Sequence, residues 1–224
     1  PDIIGIQETK VNDPEFPVDE IKEIGYYPEY WGQKGHYGVA ILSKKKPNEV
    51  QKGFTKDTTD DQKRFIQAKF KWGKKNIVIM NGYFPQGENR SHEIKFPKKI
   101  KYYADLKKHI KKTQKTEKNV IVMGDFNVAP SPLDIGIGEA NAKRWLREGK
   151  TALLPEEIEM WNSIAKLGFI DSWREQHPQE DSIYSWFDYR PRRFDNTPKR
   201  GWRIDHILVS EQMNKYIKKP EITS

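Results

Sequence analysis

The 224-residue chain contains no cysteine. That absence excludes disulfides, thiolate zinc sites and a thiol nucleophile together, leaves oxygen and histidine to hold any metal, and suits a reducing compartment. Long apolar runs are missing as well. With 32% charged and 35% hydrophobic residues, no stretch offers the roughly 18 consecutive apolar positions that a membrane-spanning helix needs. The opening PDIIGIQETK lacks both a basic n-region and a small-residue cleavage site, so no secretory leader is read there and the expected address is the cytoplasm. Repeats, low-complexity tracts and linkers are absent too, which makes one domain over residues 1–224 the simplest organisation.

What is present is basic. Forty Lys and Arg stand against 32 Asp and Glu, a formal charge of +8 that suits polyanionic partners. The excess is local: residues 95–118 hold ten lysines (95, 98, 99, 101, 107, 108, 111, 112, 115 and 118) against Asp105 and Glu117, and the rest of the chain balances. Tyr103, Leu106 and Ile110 within that segment repeat at helical spacing, so the expectation is an amphipathic helix with its lysines on a solvated outer face.

Short β-branched runs at 3–6, 39–42, 65–70, 77–80, 120–123, 184–187 and 204–209 read as strands, with helices expected at 18–24, 97–113, 140–147 and 155–167. Strands outnumber helices and do not alternate with them regularly. Sheet packed on sheet with helices outside therefore fits better than a doubly wound parallel sheet.

Polar residues follow three of these runs: Gln7 and Glu8 after the first, Asn81, Gly82 and Tyr83 after the fourth, and Gly124, Asp125, Phe126 and Asn127 after the fifth. Neighbouring strand ends share a rim, where Glu8, Asp125 and Asn127 could converge on a hard cation such as Mg²⁺. In GDFN the i, i+2 spacing sets Asp125 and Asn127 on one side of an extended segment, and Gly124 leaves room for close approach of a substrate. The competing reading of GDFN is an Asx turn at a strand end. Asp205, inside the apolar run IDHILV, needs a partner: either an ion pair with Arg203 or a nearby lysine, or a histidine that it orients. His206 points to the opposite strand face from Asp205, so it is not that histidine. Near the C-terminus Tyr184, Trp186, Phe187, Tyr189, Phe194 and Trp202 interleave with Arg190, Arg192, Arg193, Lys199, Arg200 and Arg203, a pattern that suits nucleic acid, with core packing as the alternative for each ring.

The strings IIGIQETKV (3–11), GVAILSK (38–44), NGYFPQGENR (81–90), IKFP (94–97), VMGDFNVAPSPLDIGI (122–137), KRWLR (143–147), SWFDYR (185–190) and GWRIDHILVS (201–210) together resemble the bacterial exonuclease III and abasic-site endonuclease family of the endonuclease/exonuclease/phosphatase superfamily. They are collinear and span nearly the whole chain. The resemblance implies a four-layer αββα sandwich of two mainly antiparallel sheets. It implies a monomeric DNA-repair nuclease that cuts the backbone at abasic sites and trims 3′ ends of double-stranded DNA, using Mg²⁺ with Mn²⁺ as a substitute. Position by position it makes Glu8 a metal ligand, Asp125 and Asn127 the pair that activates the attacking water near the metal, Tyr83 a catalytic contact to phosphate, and Asp205 the orienter of a histidine. It makes Gln86, Arg90 and Lys95 DNA contacts, and Trp186 and Trp202 walls of a pocket for a flipped-out abasic sugar.

Both ends read as cut. The family's opening W-N-x-N-G strand and its closing Ser-Asp-His have no match here, which predicts missing terminal strands and an impaired chain. Two other readings compete: a superfamily phosphoesterase acting on lipid or inositol substrates, and a non-catalytic DNA-binding remnant.

Overall fold

The computed structural model describes residues 1–54, 62–187 and 200–223. The chain divides into two compact units, Pro1–Tyr83 with Lys108–Asp125, and Phe84–Lys107 with Phe126–Ser224.

The first unit holds strand β1 (Ile3–Gln7), helix α1 (Val18–Glu23), and strands β2 (Tyr27–Trp31), β3 (Val39–Ser43), β4 (Glu49–Lys52), β5 (Phe65–Trp72), β6 (Lys75–Tyr83) and β7 (Val120–Asp125). One sheet has the order β1-β3-β2, antiparallel throughout. In the other, β4-β5-β6 are antiparallel and β7 joins β6 in parallel. The two-residue period of a strand dictates how they stack. Along β3, Val39 and Ile41 turn toward Ile66, Ala68, Phe70 and Ile79, filling the space between the sheets. The intervening Ala40 and Leu42 turn the other way, onto Phe16 and the α1 residues Val18 and Ile21. β5 repeats the rule: its remaining face carries Phe65 and Gln67, against which lies His109 of helix α2 (Lys95–Thr113), Nε2 2.8 Å from Gln67 Oε1 and the ring 5.2 Å from Phe65. Helix, sheet, sheet, helix: the expected four layers stand within this unit.

The second unit contains the first part of α2, helices α3 (Glu139–Arg147) and α4 (Pro155–Ala165), strand β8 (Phe169–Asp171), helix α5 (Ser172–Gln176), and strands β9 (Trp186–Phe187), β10 (Gly201–Trp202) and β11 (Asp205–Ser210). β8 pairs with β11 and β9 with β10, both antiparallel. Its packing centres on Phe84 stacked on Phe126, 4.1 Å between centroids, and on a cluster of Ala129, Ile137, Leu153, Trp202 and Ile204.

β2 and β4 escape the sequence reading because each is an edge strand, β2 carrying Pro28 and β4 reading EVQK with half-exposed or exposed side chains. β6 runs three residues further than expected, so Asn81 and Gly82 lie inside the strand instead of beyond it. On α2, Tyr103, Leu106 and Ile110 are buried and Lys101, Lys108, Lys111 and Lys112 exposed, as the periodicity predicts. Lys99 corrects the outer-face reading: it is 0% exposed. Of the residues expected to matter near the C-terminus, Tyr189, Arg190, Arg192, Arg193, Phe194 and Lys199 lie outside the described residues.

Candidate active site

In the first unit, β1 brings Gln7 over β6, where its Nε2 donates to Asn81 Oδ1 at 2.5 Å. Asn81 Nδ2 donates in turn to the carbonyls of Ile6 and Ala40, 2.9 Å each, so this fully buried amide ties β6 to the facing sheet. The approach requires Gly5, where a Cβ would come within 2.9 Å of Asn81 Oδ1 and 2.6 Å of Met123 Cε.

Immediately beyond β1 the backbone turns left-handed at Glu8, φ 54°. For a residue with a Cβ this conformation costs about 1–3 kcal/mol, and such strain gathers at functional sites. Glu8 accepts hydrogen bonds from Lys10, 2.8 Å away, and from the Tyr83 hydroxyl. Partial burial works to raise its carboxyl. The bonds from Lys10 and Tyr83 and the charge of Arg64 outweigh that, holding it below the usual carboxylate range. Tyr83 is pushed the other way, well above the ordinary phenol value, by burial and then by Glu8 and Asp125, so it stays a hydrogen-bond donor at any physiological pH.

Arg64, which sequence reasoning missed, fixes the phenol. It lies 4.7 Å over the Tyr83 ring and 4.3 Å over that of Tyr37, donates through Nη1 to the Tyr83 carbonyl at 3.1 Å, and is 8% exposed. Nothing in QKRF distinguishes it from a surface arginine. Asp125 is the register partner of Tyr83 across the parallel β6–β7 pair. The structure thus brings two of the expected residues, Glu8 and Asp125, to the phenol of a third, Tyr83.

Gly124, φ 134°, corrects another expectation. A Cβ there would stand 2.0 Å from the Gly82 carbonyl oxygen, so the glycine serves the close approach of β6 and not that of a substrate.

Among the described residues no group of three or more His, Cys, Asp or Glu gathers in metal-binding fashion. The donors present are nevertheless of the right kind for Mg²⁺, which takes one or two carboxylates and keeps several waters. The Glu8 side chain is 40% exposed, which leaves its carboxylate open to solvent.

In the second unit the chain turns left-handed again at Asn127, φ 52°. Its Nδ2 donates to the Phe84 carbonyl at 3.0 Å. Gln86, Arg90 and Lys95 follow Phe84. Gln86 bonds Thr151 Oγ1 at 3.0 Å and accepts from the Glu88 amide at 2.7 Å; Arg90 makes two bonds to Glu156, 2.5 and 2.8 Å; Lys95 pairs with Glu88. All three are exposed. An anion that recruits Arg90 or Lys95 therefore competes with a carboxylate already bound there.

Trp186 and Trp202 are cross-strand partners in the β9–β10 ribbon, the first 40% exposed and the second 4%, packed among Ala129, Ile137 and Ile204. Among the described residues Asp205 pairs with neither of the cations offered for it. Its carboxylate is pushed up by burial, opposed by a hydrogen bond from Ser185. Arg203 goes instead to Asp134 (Nε to Oδ1, 2.7 Å) and Asp171 (Nη2 to Oδ2, 2.7 Å), correcting the Arg203–Asp205 alternative. His206 is structural: Nε2 donates to the Val128 carbonyl at 2.8 Å, Nδ1 faces Arg203 Nη1 at 3.0 Å, and the ring meets Phe126 and Trp161 edge-on.

Lys99 is the second residue that sequence reasoning missed. Its signal was available, since it stands four residues before Tyr103 on the apolar face of α2.

Residues 1–216 match the Endonuclease/Exonuclease/phosphatase family. Exodeoxyribonuclease III of Haemophilus influenzae is 48% identical over 213 residues, 95% of this chain and 79% of that protein. Two solved structures superpose closely. The 3′ phosphatase NExo from Neisseria, bound to product DNA hairpin, gives a TM-score of 0.85 at 31% identity, over 96% of this chain and 78% of its own. An AP endonuclease from Archaeoglobus fulgidus gives 0.81 at 32% identity, over the same shares.

Proposed function

The chain belongs to the endonuclease/exonuclease/phosphatase family, and from that premise we propose that it is a Mg²⁺-dependent DNA-repair nuclease of the exodeoxyribonuclease III type. It hydrolyses phosphodiester bonds at abasic sites and removes nucleotides or blocking groups from 3′ ends of double-stranded DNA, as a cytoplasmic monomer. The observation that carries the reading is the meeting of Glu8 and Asp125 at the Tyr83 phenol, because phosphodiester hydrolysis needs anionic oxygens for a metal beside a donor for developing phosphate charge. The Haemophilus relative and the DNA-bound Neisseria structure support DNA as the substrate.

Glu8, Asp125 and the Asn127 amide are the oxygens proposed to hold Mg²⁺, or Mn²⁺ in its place. Bound there, the ion supplies charge neutralisation on the phosphate. The chain's own residues do the rest. Asp125, with Asn127 two residues on, aligns and deprotonates the attacking water. Tyr83, kept protonated, donates to a phosphate oxygen. Asp205, buried and uncommitted to a cation among the described residues, orients an imidazole. Gln86, Arg90 and Lys95 track the DNA backbone, exposed Trp186 and its ribbon partner Trp202 bound the sugar pocket, and the glutamates on Arg90 and Lys95 give way to phosphate.

Glu8→Gln tests the metal assignment. Removing one hard anionic oxygen from a site with few of them raises the Mg²⁺ concentration needed for half-maximal cleavage while leaving DNA affinity nearly unchanged. Wild-type activity at limiting Mg²⁺ would take Glu8 out of the site.

The basic outer face of α2 has no part in this reading. Changing Lys107, Lys108, Lys111 and Lys112 together to Gln leaves the slope of log K against log salt almost where it was. Each true phosphate contact contributes nearly one unit of slope, so a drop of several units would make that face a DNA surface.

A further inference from the structure

α2 presents two donors, one helical turn apart, to two successive carbonyls of GDFN. Lys99 Nζ lies 2.9 Å from the Asn127 carbonyl oxygen, and the Tyr103 hydroxyl 2.9 Å from that of Phe126. Both side chains are buried, Lys99 at 0% and Tyr103 at 2%. Lys99 Nζ also reaches the Gln86 carbonyl at 3.3 Å and the carboxylate of Glu157, itself 0% exposed. The other Glu157 oxygen accepts from the Leu154 amide at 3.0 Å, where α4 begins. An ammonium has three protons, and this one reaches oxygens of three segments: the loop of Gln86, the turn of Asn127 and the start of α4.

The need for such a device is local. A helix or strand would satisfy the carbonyls of Phe126 and Asn127 through its ladder, but the left-handed residue at Asn127 breaks the pattern, and buried carbonyls demand partners.

We infer that Lys99 and Tyr103 are positioning residues for Asn127: by gripping the two carbonyls that flank and include its peptide, they hold the strained turn that aims its side chain, with Glu157 as the fixed counter-charge of Lys99. The inference rests on the proposed role of Asn127 at the reacting phosphate. A group that orients another in this way matters through geometry, where a displacement of about 1 Å costs on the order of a hundredfold in rate.

The test is a double-mutant cycle. Lys99→Met alone strands a buried carboxylate and threatens the fold, so the pair is removed together as Lys99→Met/Glu157→Gln, which keeps the volume and the acceptor for Leu154. Tyr103→Phe is a second, gentler probe that removes the hydroxyl from the Phe126 carbonyl and keeps the ring. Each is combined with Asn127→Ala, and kcat and KM are measured on an abasic-site duplex at saturating Mg²⁺ after circular dichroism has confirmed folding. The expected result for the pair variant is a kcat ten- to a hundredfold lower with KM within about threefold of the parent, and almost no further loss once Asn127 is already Ala. Tyr103→Phe shows the same non-additivity with a smaller drop. Independently of activity, backbone amides of residues 125–129 exchange faster with deuterium in both variants. If Asn127→Ala is inactive yet folded pair and Tyr103 variants keep the parent kcat, or their losses multiply with that of Asn127→Ala, the positioning role is overturned and the nuclease reading stands. If Asn127→Ala itself cleaves at the parent rate, the reading of Asn127 falls instead. Should the pair variant not fold, Tyr103→Phe with exchange at 125–129 decides the question alone.

Discussion

Asp125→Asn is expected to lower turnover on an abasic-site duplex at least about a hundredfold at saturating Mg²⁺, the low end for loss of a positioned acid–base group. The substitution keeps the shape of the side chain at the end of β7, so the β6–β7 register and the fold survive. Affinity for DNA is expected to be retained or raised, since a negative charge proposed to face phosphate has gone. A secondary effect is expected on Tyr83: its phenol is held up partly by the charge of Asp125, and in the variant it titrates nearer the ordinary value, readable by ultraviolet difference absorption. A folded, DNA-binding Asp125→Asn protein with most of the parent turnover would return GDFN to the status of a strand-end turn.

Arg203→Met has the largest effect on stability. The guanidinium is 1% exposed and bonds both Asp134 and Asp171, while Asp134 is 0% exposed. Removing one partner of a buried ionic network costs about 3–5 kcal/mol, because the remaining charge is left without compensation. For a chain of this size each kcal/mol lowers Tm by roughly 2–4 °C, giving a fall of about 6–20 °C in a calorimetric scan. Arg174 keeps Asp134 partly compensated, so the damage concentrates on Asp171. Burial tends to raise the Asp171 carboxyl, yet His206 and Arg203 hold it far below the usual range. A depressed carboxylate contributes stability that is complete above its unfolded pKa and disappears as pH falls through the folded one. Parent and variant therefore differ most at neutral pH and converge in strong acid. A Tm within about 2 °C of the parent at pH 7 would mean that Arg203 is not what stabilises this network.

How far the sequence alone reached depends on what each element asks of its residues. β3 and β7 are buried strands, and their β-branched runs announce them. β2 and β4 sit at edges, cover only one face and can afford charge and proline, so pattern says little about them. Glu8, Tyr83 and Asp125 were legible because strand ends and small motifs carry them. Arg64 was not, since stacking between Tyr37 and Tyr83 depends on residues distant in sequence. Gly124 was noticed but assigned to the wrong neighbour, because a sequence cannot say whether a missing side chain makes room for a substrate or for another strand. For Lys99, composition misled where periodicity did not: among ten lysines one follows the apolar stripe, and that one is buried.

The parallel pairing of β6 with β7 has a consequence for the order in which this unit comes together. β5 and β6 are a local hairpin, with Trp72 opposite Lys75 across the turn. β7 begins at Val120, dozens of residues after Tyr83, and residues 84–107 of the intervening chain belong to the other unit. Loop closure makes such a non-local pairing slow relative to hairpin formation. Glu8 and Tyr83 can face one another on sheets already formed during synthesis, while Asp125 arrives with the closing strand. The acid proposed to activate water is thus the late arrival in its own unit, and a nascent chain holds the Tyr83 phenol and the Glu8 carboxylate side by side before it holds the proposed base.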